Sequence, residues 1–386
     1  MNNDLLLKIA GEYGTPTFVF DTDEFAKQTD LIKNALGDIP LCYSIKANPF
    51  LLHALPKSVS YVEVCSPGEL AICRRLGVDP KKIIYSGVNK GFADVGDAVD
   101  YGAAILTAES ERHIEIINEV CRGRGKRAEV ILRITSGNQF GMDFEKVAEI
   151  ISTREKYKNV DVIGLHYYSG TQKRTVKVIE KDIRHFEEYL DRLGAELGYV
   201  PTHVEYGPGM AAEYFNPPYE EKDKEMLEGV GLLLRTLGKK YPLTVEMGRF
   251  AAASCGTYLT SAADIKRNDG NDYVICDGGI NHLRYHGQTM AMQVPPITLL
   301  NGNGESDRDY TLCGSLCTVA DLLVRKVTLP KIDIGDVIAF GRCGAYTVTE
   351  GTALFLSRTM PRIVLYSENG GAQLKRDFKN TDLLNC

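Results

Sequence analysis

Short apolar runs alternate with longer amphipathic stretches over the first two thirds of the chain. The runs IPLCYSI (39–45), YVEVC (61–65), KIIYSG (82–87) and AAILTA (103–108) are followed by AEVILRI (128–134), DVIGLHYY (161–168), THVEYG (202–207) and LTVEMG (243–248). Short, nearly continuous hydrophobic runs are what a strand buried on both faces requires. Between them, stretches such as SPGELAICRRLG and RTVKVIEKDIRHFEEYLDRLGAELG place apolar residues three and four apart, the period of a helix with one buried face. Eight strand–helix units without a long linker predict a (β/α)8 TIM barrel. An open doubly wound sheet is the alternative, but it would not need eight units.

Past residue 250 the texture changes. CGTYLTSAADIKR, DYVICDGGI, KVTLPKIDIGDVIAFG and TALFLSR read as strands separated by Gly, Asp and Pro turns. The N-terminal TPTFVFD (15–21) is also strand-like and precedes the barrel. The expected division is a barrel over residues 22–250, with residues 1–21 and 251–386 forming a sandwich- or barrel-like β domain. NGNGESDRDY (301–310) reads as an exposed loop.

Bulk properties narrow the function classes. The net charge of −6 gives nucleic acid no reason to bind, and the basic knot RGRGKR (122–127) reads as a solvated loop after a helix. No apolar run reaches membrane-spanning length, and MNNDLLLKIAGEYG lacks the basic start and long apolar stretch of a secretory signal. Ten cysteines lie scattered without CxxC pairs, several within apolar segments. They predict reduced thiols in a cytoplasmic chain, with no disulfide frame and no metal site.

Barrel enzymes carry reactive groups at the C-terminal ends of their strands. Here those ends bring Lys46, Cys65 and Ser66, Ser86, HYYSGT (166–171), EYGPGM (205–210) and EMGR (246–249). An amine at a barrel mouth is suited to bond a carbonyl, because partial desolvation lowers its pKa. A glycine-rich turn such as GPG (207–209) offers backbone N–H groups to a phosphate, although Pro208 supplies none. A carboxylate such as Glu246 can keep a pyridine nitrogen protonated. The set therefore fits an aldehyde cofactor carrying a phosphate, an electron sink for carbanions at an amino acid's Cα.

These motifs resemble, over nearly the whole length, the fold-type III pyridoxal-phosphate decarboxylases, which include the diaminopimelate, ornithine and arginine enzymes. YSIKAN matches that family's lysine motif, so the resemblance implies a pyridoxal 5′-phosphate Schiff base on Lys46. EVCSPGEL would set Glu63 and Ser66 beside the cofactor. GLHYYSGTQ would place His166 near it, Tyr168 where the family stacks a histidine on the ring, and Thr171 as the small hydroxyl. EYGPGM stands for a triple-glycine phosphate loop, implying Gly207 and Gly209. EMGR makes Glu246 the pyridinium partner and Arg249 a phosphate or substrate-carboxylate contact. GSLCTVAD (314–321) makes Cys317 the donor that returns a proton to Cα, and GAYT (344–347) makes Tyr346 a phosphate contact. Arg249, Arg284, Thr318 and Asp321 are expected on the substrate side. The resemblance also implies a homodimer with shared active sites, Lys46 from one subunit facing Cys317 from the other.

The departures bear on substrate. Diaminopimelate decarboxylases follow the cysteine with a glutamate that holds the distal ammonium, and ornithine-type enzymes have an aspartate; this chain has Thr318. The family's Asn-Asp-Leu-x-Arg-Pro segment becomes NHLRYHGQ (281–288), with Arg284 one residue out of register. His282 and His286 are expected in a surface loop. Tyr168, DGGINH and LCTVAD are similar to a specialised-metabolite branch that includes the butirosin-assembly decarboxylase, which acts on glutamate tethered to a carrier protein. The expected reaction is decarboxylation at Cα of an amino-acid moiety in a modified, carrier- or peptide-linked molecule, with a carrier protein as a possible partner. Diaminopimelate decarboxylation, a racemase or epimerase, and a non-catalytic cofactor-binding protein are the alternatives.

Overall fold

A computed structural model describes residues 1–217, 219–302, 304 and 306–386, in two compact units. One comprises Met1–Gln28, Glu213–Tyr219 and Ala252–Cys386, the other Thr29–Ala212 and Glu220–Ala251. Residues 22–28 and Glu213–Tyr219, expected in the barrel, thus group with the β-rich unit.

The first strand, β1 (Thr17–Asp21), belongs to the β-rich unit. The next eight close the predicted barrel in chain order: β2 (Leu41–Ser44), β3 (Val59–Val64), β4 (Ile83–Tyr85), β5 (Ile105–Ala108), β6 (Ala128–Ile134), β7 (Val160–Tyr168), β8 (His203–Gly207) and β9 (Leu243–Met247). All neighbours are parallel, and β9 returns to β2 with Cys42 paired to Glu246. Inside, Cys42, Ile84, Ile105 and Ile131 form one apolar cluster. Strand alternation sends Ser44 and Glu63, a registered pair, to the interior two residues nearer the C-terminal ends than Cys42 and Tyr61. An apolar floor therefore lies below a polar layer.

The helices are α1 (Asn3–Tyr13), α2 (Thr22–Leu36), α3 (Pro67–Leu76), α4 (Phe92–Tyr101), α5 (Glu111–Gly123), α6 (Phe144–Ser152), α7 (Val176–Leu197) and α8 (Tyr219–Gly238), with a short α9 (Arg249–Ala252). Local chemistry sets their ends. Ser66 caps α3 by accepting from the Glu69 N–H at 3.1 Å, Pro67 fits its first turn, and Gly77 stops it at φ +68°. The long α7 buries Ile179, Ile183, Phe186, Leu190 and Leu193, the expected face.

In the β-rich unit β10 (Gly256–Asn268), β11 (Asn271–Cys276), β12 (Ile297–Leu299), β13 (Arg308–Cys313), β14 (Leu322–Leu329), β15 (Val337–Gly341), β16 (Arg362–Ser367) and β17 (Gly371–Arg376) join β1 in one mixed sheet. β1 runs antiparallel to β10 and parallel to β16. Two expectations are corrected. TALFLSR is not a strand: Leu354, Phe355 and Leu356 are exposed in a turn with positive φ at Leu356 and Ser357. The expected loop at 301–310 ends early, because Arg308–Tyr310 already belongs to β13; its Asn303 and Glu305 lie outside the described residues.

Candidate active site

The strand ends of the barrel build the site. Lys46 follows β2 in a short turn, Ile45–Ala47, and its side chain is 39% exposed, so the amine is reachable. Its Nζ donates to Glu63 Oε2 at 2.6 Å and to Cys65 Sγ at 3.5 Å, and the Cys65 thiol donates to Glu63 Oε1 at 3.3 Å. Burial alone would raise the Glu63 carboxyl, but the charge and hydrogen bond of Lys46, with His166, outweigh it and hold it at about 2. Burial and the field of Glu63 push the Cys65 thiol up, so it stays protonated. Glu69, expected as a first-turn carboxylate serving backbone N–H groups, accepts from the Cys65 N–H at 2.6 Å. With Ser66 capping the same helix, these two residues fix the β3–α3 turn, the Ser66 oxygen accepting while its O–H can still donate.

Opposite polarity gathers on β7, β8 and β9. His166, Glu205 and Glu246 are all buried, and His166 Nε2 lies 3.4 Å from Glu246 Oε2. Neither ring nitrogen of His166 nor Glu246 Oε2 has a hydrogen-bond partner among the described residues, while Glu205 meets the buried Cys42 thiol. Tyr168 pairs in register with Gly207. A Cβ on Gly207 would meet Glu246 Oε1 at 2.4 Å and Tyr168 Cδ2 at 2.6 Å, so the glycine lets ring and carboxyl converge. The loops after β7 and β8 are zipped together: Lys173 N–H donates to Gly209 O at 3.0 Å, and Gln172 exchanges bonds with the Ala212 backbone. At Gly209, φ +60°, a Cβ would strike Gly170 O at 1.8 Å. The buried Arg249 donates from Nε to Thr171 Oγ1 at 3.3 Å, bringing Thr171 and Arg249 together above this turn.

The sequence pattern does not single out Arg133, Glu109 or Lys90, although it places Ser86 at a strand end. Arg133, near the end of β6, donates to Glu109 Oε1 at 2.8 Å, and both are largely buried. Lys90, 5% exposed, donates to Gly87 O; burial lowers its pKa to about 8 against the opposing pull of Glu109. Ser86 and Thr107 share a 3.0 Å hydrogen bond on the neighbouring strands. A lone arginine in the apolar run AEVILRI was the available signal, since a charge there must face the barrel interior or find a partner.

A family model for the pyridoxal binding domain of pyridoxal-dependent decarboxylases matches residues 22–253, the span that carries every barrel group just described. The chain belongs to the pyridoxal-dependent decarboxylases. Across its length it is similar to a diaminopimelate decarboxylase of Aquifex aeolicus, 24% identical over 98% of this chain and 93% of that one. It is likewise similar to the L-glutamyl-[BtrI acyl-carrier protein] decarboxylase of Niallia circulans, 27% identical over 94% and 91%. The fold is that of the diaminopimelate decarboxylase of M. jannaschii crystallised with L-lysine, at TM-score 0.87 and 23% identity, covering 98% of this chain and 93% of that one.

The residues fit this decarboxylase family's cofactor, pyridoxal 5′-phosphate. An unpartnered buried oxygen on Glu246 suits a protonated ring nitrogen. The space that a Cβ on Gly207 would fill lies against Tyr168 and Glu246. Lys46, in the turn after the strand adjoining β9, offers the amine.

The β-rich unit carries the remaining expected residues. Cys317 is exposed, and Val319 beside it is 96% exposed. Asp321, expected to face substrate, is instead buried beneath this turn. Its carboxylate accepts from Ile280 N–H at 2.9 Å and Leu316 N–H at 2.7 Å, where a Cβ on Gly279 or Gly314 would strike it. Thr318 is half-buried on the turn, and Arg284 is exposed. Tyr346 is half-buried with φ +66°, its carbonyl accepting from the N–H groups of Thr349 and Glu350. His282 corrects the surface-loop expectation: it is buried, with ring nitrogens 3.1 Å from the Tyr258 hydroxyl and 2.8 Å from Thr359 O. His286 is exposed.

No helix among the described residues is long and apolar enough to cross a membrane, and no described group of His, Cys, Asp and Glu could hold a metal ion.

Proposed function

We propose that this decarboxylase removes the α-carboxyl group from an amino-acid moiety carried in a larger, modified, peptide-linked or carrier-linked molecule. The observation that carries the site assignment is the Glu246 oxygen without a hydrogen-bond partner among the described residues, on β9, the strand next to the one that leads into Lys46. When bound, pyridoxal phosphate supplies the electron sink that lets a carboxylate leave from Cα. Lys46 would hold the cofactor's aldehyde. Glu246, 3.4 Å from His166 Nε2, would face the ring nitrogen. Tyr168 would lie beside the cofactor ring, while Gly207, Gly209, Thr171 and Arg249 would hold its phosphate, with Arg249 also able to meet a substrate carboxylate. Glu63 receives the proton-bearing amine of Lys46, and Ser66 keeps the turn beside it in place. A carboxylate at the ring nitrogen favours decarboxylation over racemisation, since a strong sink invites side reactions during inversion.

Substrate preference rests on Thr318, where an acidic side chain would otherwise meet a distal ammonium, and on the exposed Arg284. The similarity to a carrier-protein decarboxylase supports a tethered substrate and a carrier protein as partner. We further infer a homodimer, in which the exposed Cys317 of one copy serves Lys46 of the other. Ten unpaired thiols favour a cytoplasmic setting.

The test is carbon dioxide release from a panel of free, peptide-linked and carrier-linked amino acids, with product chirality followed in parallel. Turnover confined to linked substrates is expected. Rapid release from free meso-diaminopimelate would overturn the substrate assignment, and chiral inversion without gas would overturn the reaction. For the dimer, mixing inactive K46A and C317A chains should restore activity, and no recovery would count against shared sites.

A further inference from the structure

The chain after β7 carries an ionic cluster that nothing in the proposed reaction uses. Side chains alternate along a strand, so with Tyr168 turned to the barrel interior, Tyr167 and Ser169 continue the outer face toward α7. There Ser169 donates to Asp182 Oδ2 at 2.6 Å, on the second turn of α7. Lys173 Nζ donates to Ser169 Oγ at 2.6 Å and lies 2.5 Å from the same Asp182 oxygen. The Tyr167 hydroxyl meets the same serine. The side chains of Lys173 and Asp182 are only 9% and 20% exposed. Close by, Tyr167, Phe186 of α7 and Tyr206 of β8 stack with ring centroids 5.3, 6.0 and 6.3 Å apart. Charges held against such a wall are screened little by salt.

The cluster spans residues 170–172, and two of these have positive φ, Gly170 at 137° and Gln172 at 58°. A glutamine in the left-handed region is strained and persists only where its neighbours over-determine it. The β8 turn supplies part of that constraint. Ala212 N–H donates to Gln172 Oε1 at 2.8 Å, and Gln172 Nε2 donates to Ala212 O at 3.2 Å. The Lys173 backbone donates to Gly209 O and accepts from Ala211 N–H, each at 3.0 Å. The Lys173 ammonium adds a constraint from another side, tying the segment to α7. Gly170 O abuts Gly209, where a Cβ would strike it at 1.8 Å, and Thr171 accepts from Arg249 Nε at 3.3 Å. A shift of residues 170–172 therefore disturbs Gly209, Thr171 and Arg249 together.

We propose that Lys173 and Asp182, joined through Ser169, are positioning residues: an ionic latch on the outer face of the barrel that holds residues 170–172 in their strained form and so presets the turn for the cofactor's phosphate. The latch touches no ligand, and it rests on the proposed placement of the phosphate at Thr171, Gly209 and Arg249. A buried ion pair adds little net stability over an apolar pair of the same volume. It does fix one geometry, which an apolar pair would not. A turn ordered in advance binds without the entropic cost of ordering on contact. Pyridoxal, which has the ring and aldehyde but no phosphate, has no use for that order.

The experiment compares Kd for pyridoxal 5′-phosphate with Kd for pyridoxal, each titrated into cofactor-free protein and followed by absorbance near the visible edge. K173M/D182L removes both charges together and should unfold in urea close to wild type. It should nonetheless bind pyridoxal 5′-phosphate about 10- to 100-fold more weakly, with pyridoxal unchanged. S169A keeps the ion pair and should show a smaller rise of about 3- to 10-fold, again for the phosphorylated ligand alone. A wild-type ratio of the two Kd values in the folded double variant, or in S169A should the double variant not fold, overturns the latch. Equal weakening of both ligands, the sign of a merely structural role, overturns it too. T171V and R249M probe the phosphate placement separately. If they leave the ratio unchanged along with the latch variants, the phosphate lies elsewhere; if they raise it while the latch variants do not, the placement stands and the latch fails.

Discussion

The two halves of the barrel rim spend their polar groups differently. On the β2–β6 side, Lys46 and Cys65 both pair with Glu63, and Arg133 pairs with Glu109, leaving Arg133 Nε as the buried atom without a partner among the described residues. On the β7–β9 side, His166 and Glu246 keep buried atoms without hydrogen-bond partners among the described residues. A saturated network is ordered before any ligand arrives, whereas buried unpaired groups carry a cost that a ligand can relieve. One half is built to hold an amine still; the other is built to receive something.

The harshest way to break that contrast is at Lys46. K46A should abolish the cofactor's absorbance near the visible edge and lower kcat on the order of 10³-fold or more. If the absorbance persisted, the saturated half would not be the attachment side. Next comes E246A, which leaves the Lys46–Glu63 pair untouched. It should cost on the order of 10²–10³ in kcat, the scale of losing one preorganised electrostatic partner. Turnover close to wild type would mean that the orphaned oxygen awaits something other than the ring.

The third test sharpens the saturated half itself. E109A strands a largely buried arginine, and urea unfolding should show a loss of about 3–5 kcal/mol. A loss under about 1 kcal/mol would class the pair with exposed ion pairs, which contribute little. The smallest effect is in pH. Glu63 is held at about 2, below its ordinary 4.5, so its contribution to stability is complete above the ordinary glutamate range. It is lost as pH falls from about 4.5 through about 2. E63Q should flatten that acid limb of the stability profile; an unchanged limb would place the stabilising charge elsewhere.

Legibility in the sequence followed the same division. Lys46 and Glu246 could be found because each ends or adjoins an apolar strand, where a charge needs a reason. Glu109 and Lys90 sit in the connections after β5 and β4, where carboxylates and lysines are ordinary, so only folding brings them near Arg133. Asp321 was legible as part of a motif but not in its role, because its backbone partners near residues 280 and 316 become neighbours only in three dimensions. TALFLSR failed for a different reason. Its apolar residues satisfy the composition of a strand, but nothing in composition reports the left-handed φ that turns the chain at Leu356 and Ser357. The barrel was readable from repetition alone, while the nine-stranded sheet, with a parallel neighbour drawn from the far end of the chain, was readable only in pieces.

The mooring of the Cys317 turn has an engineering consequence. Asp321 ties the turn down through the amides of Ile280 and Leu316, outside the stretch from Cys317 to Ala320. The tip is therefore a cassette: exchanging its side chains leaves the Asp321 bonds in place, with Thr318 giving up only the bond its Oγ1 accepts from the Ala320 N–H. A library over residues 318–320 would then search for new substrates while keeping the anchor constant.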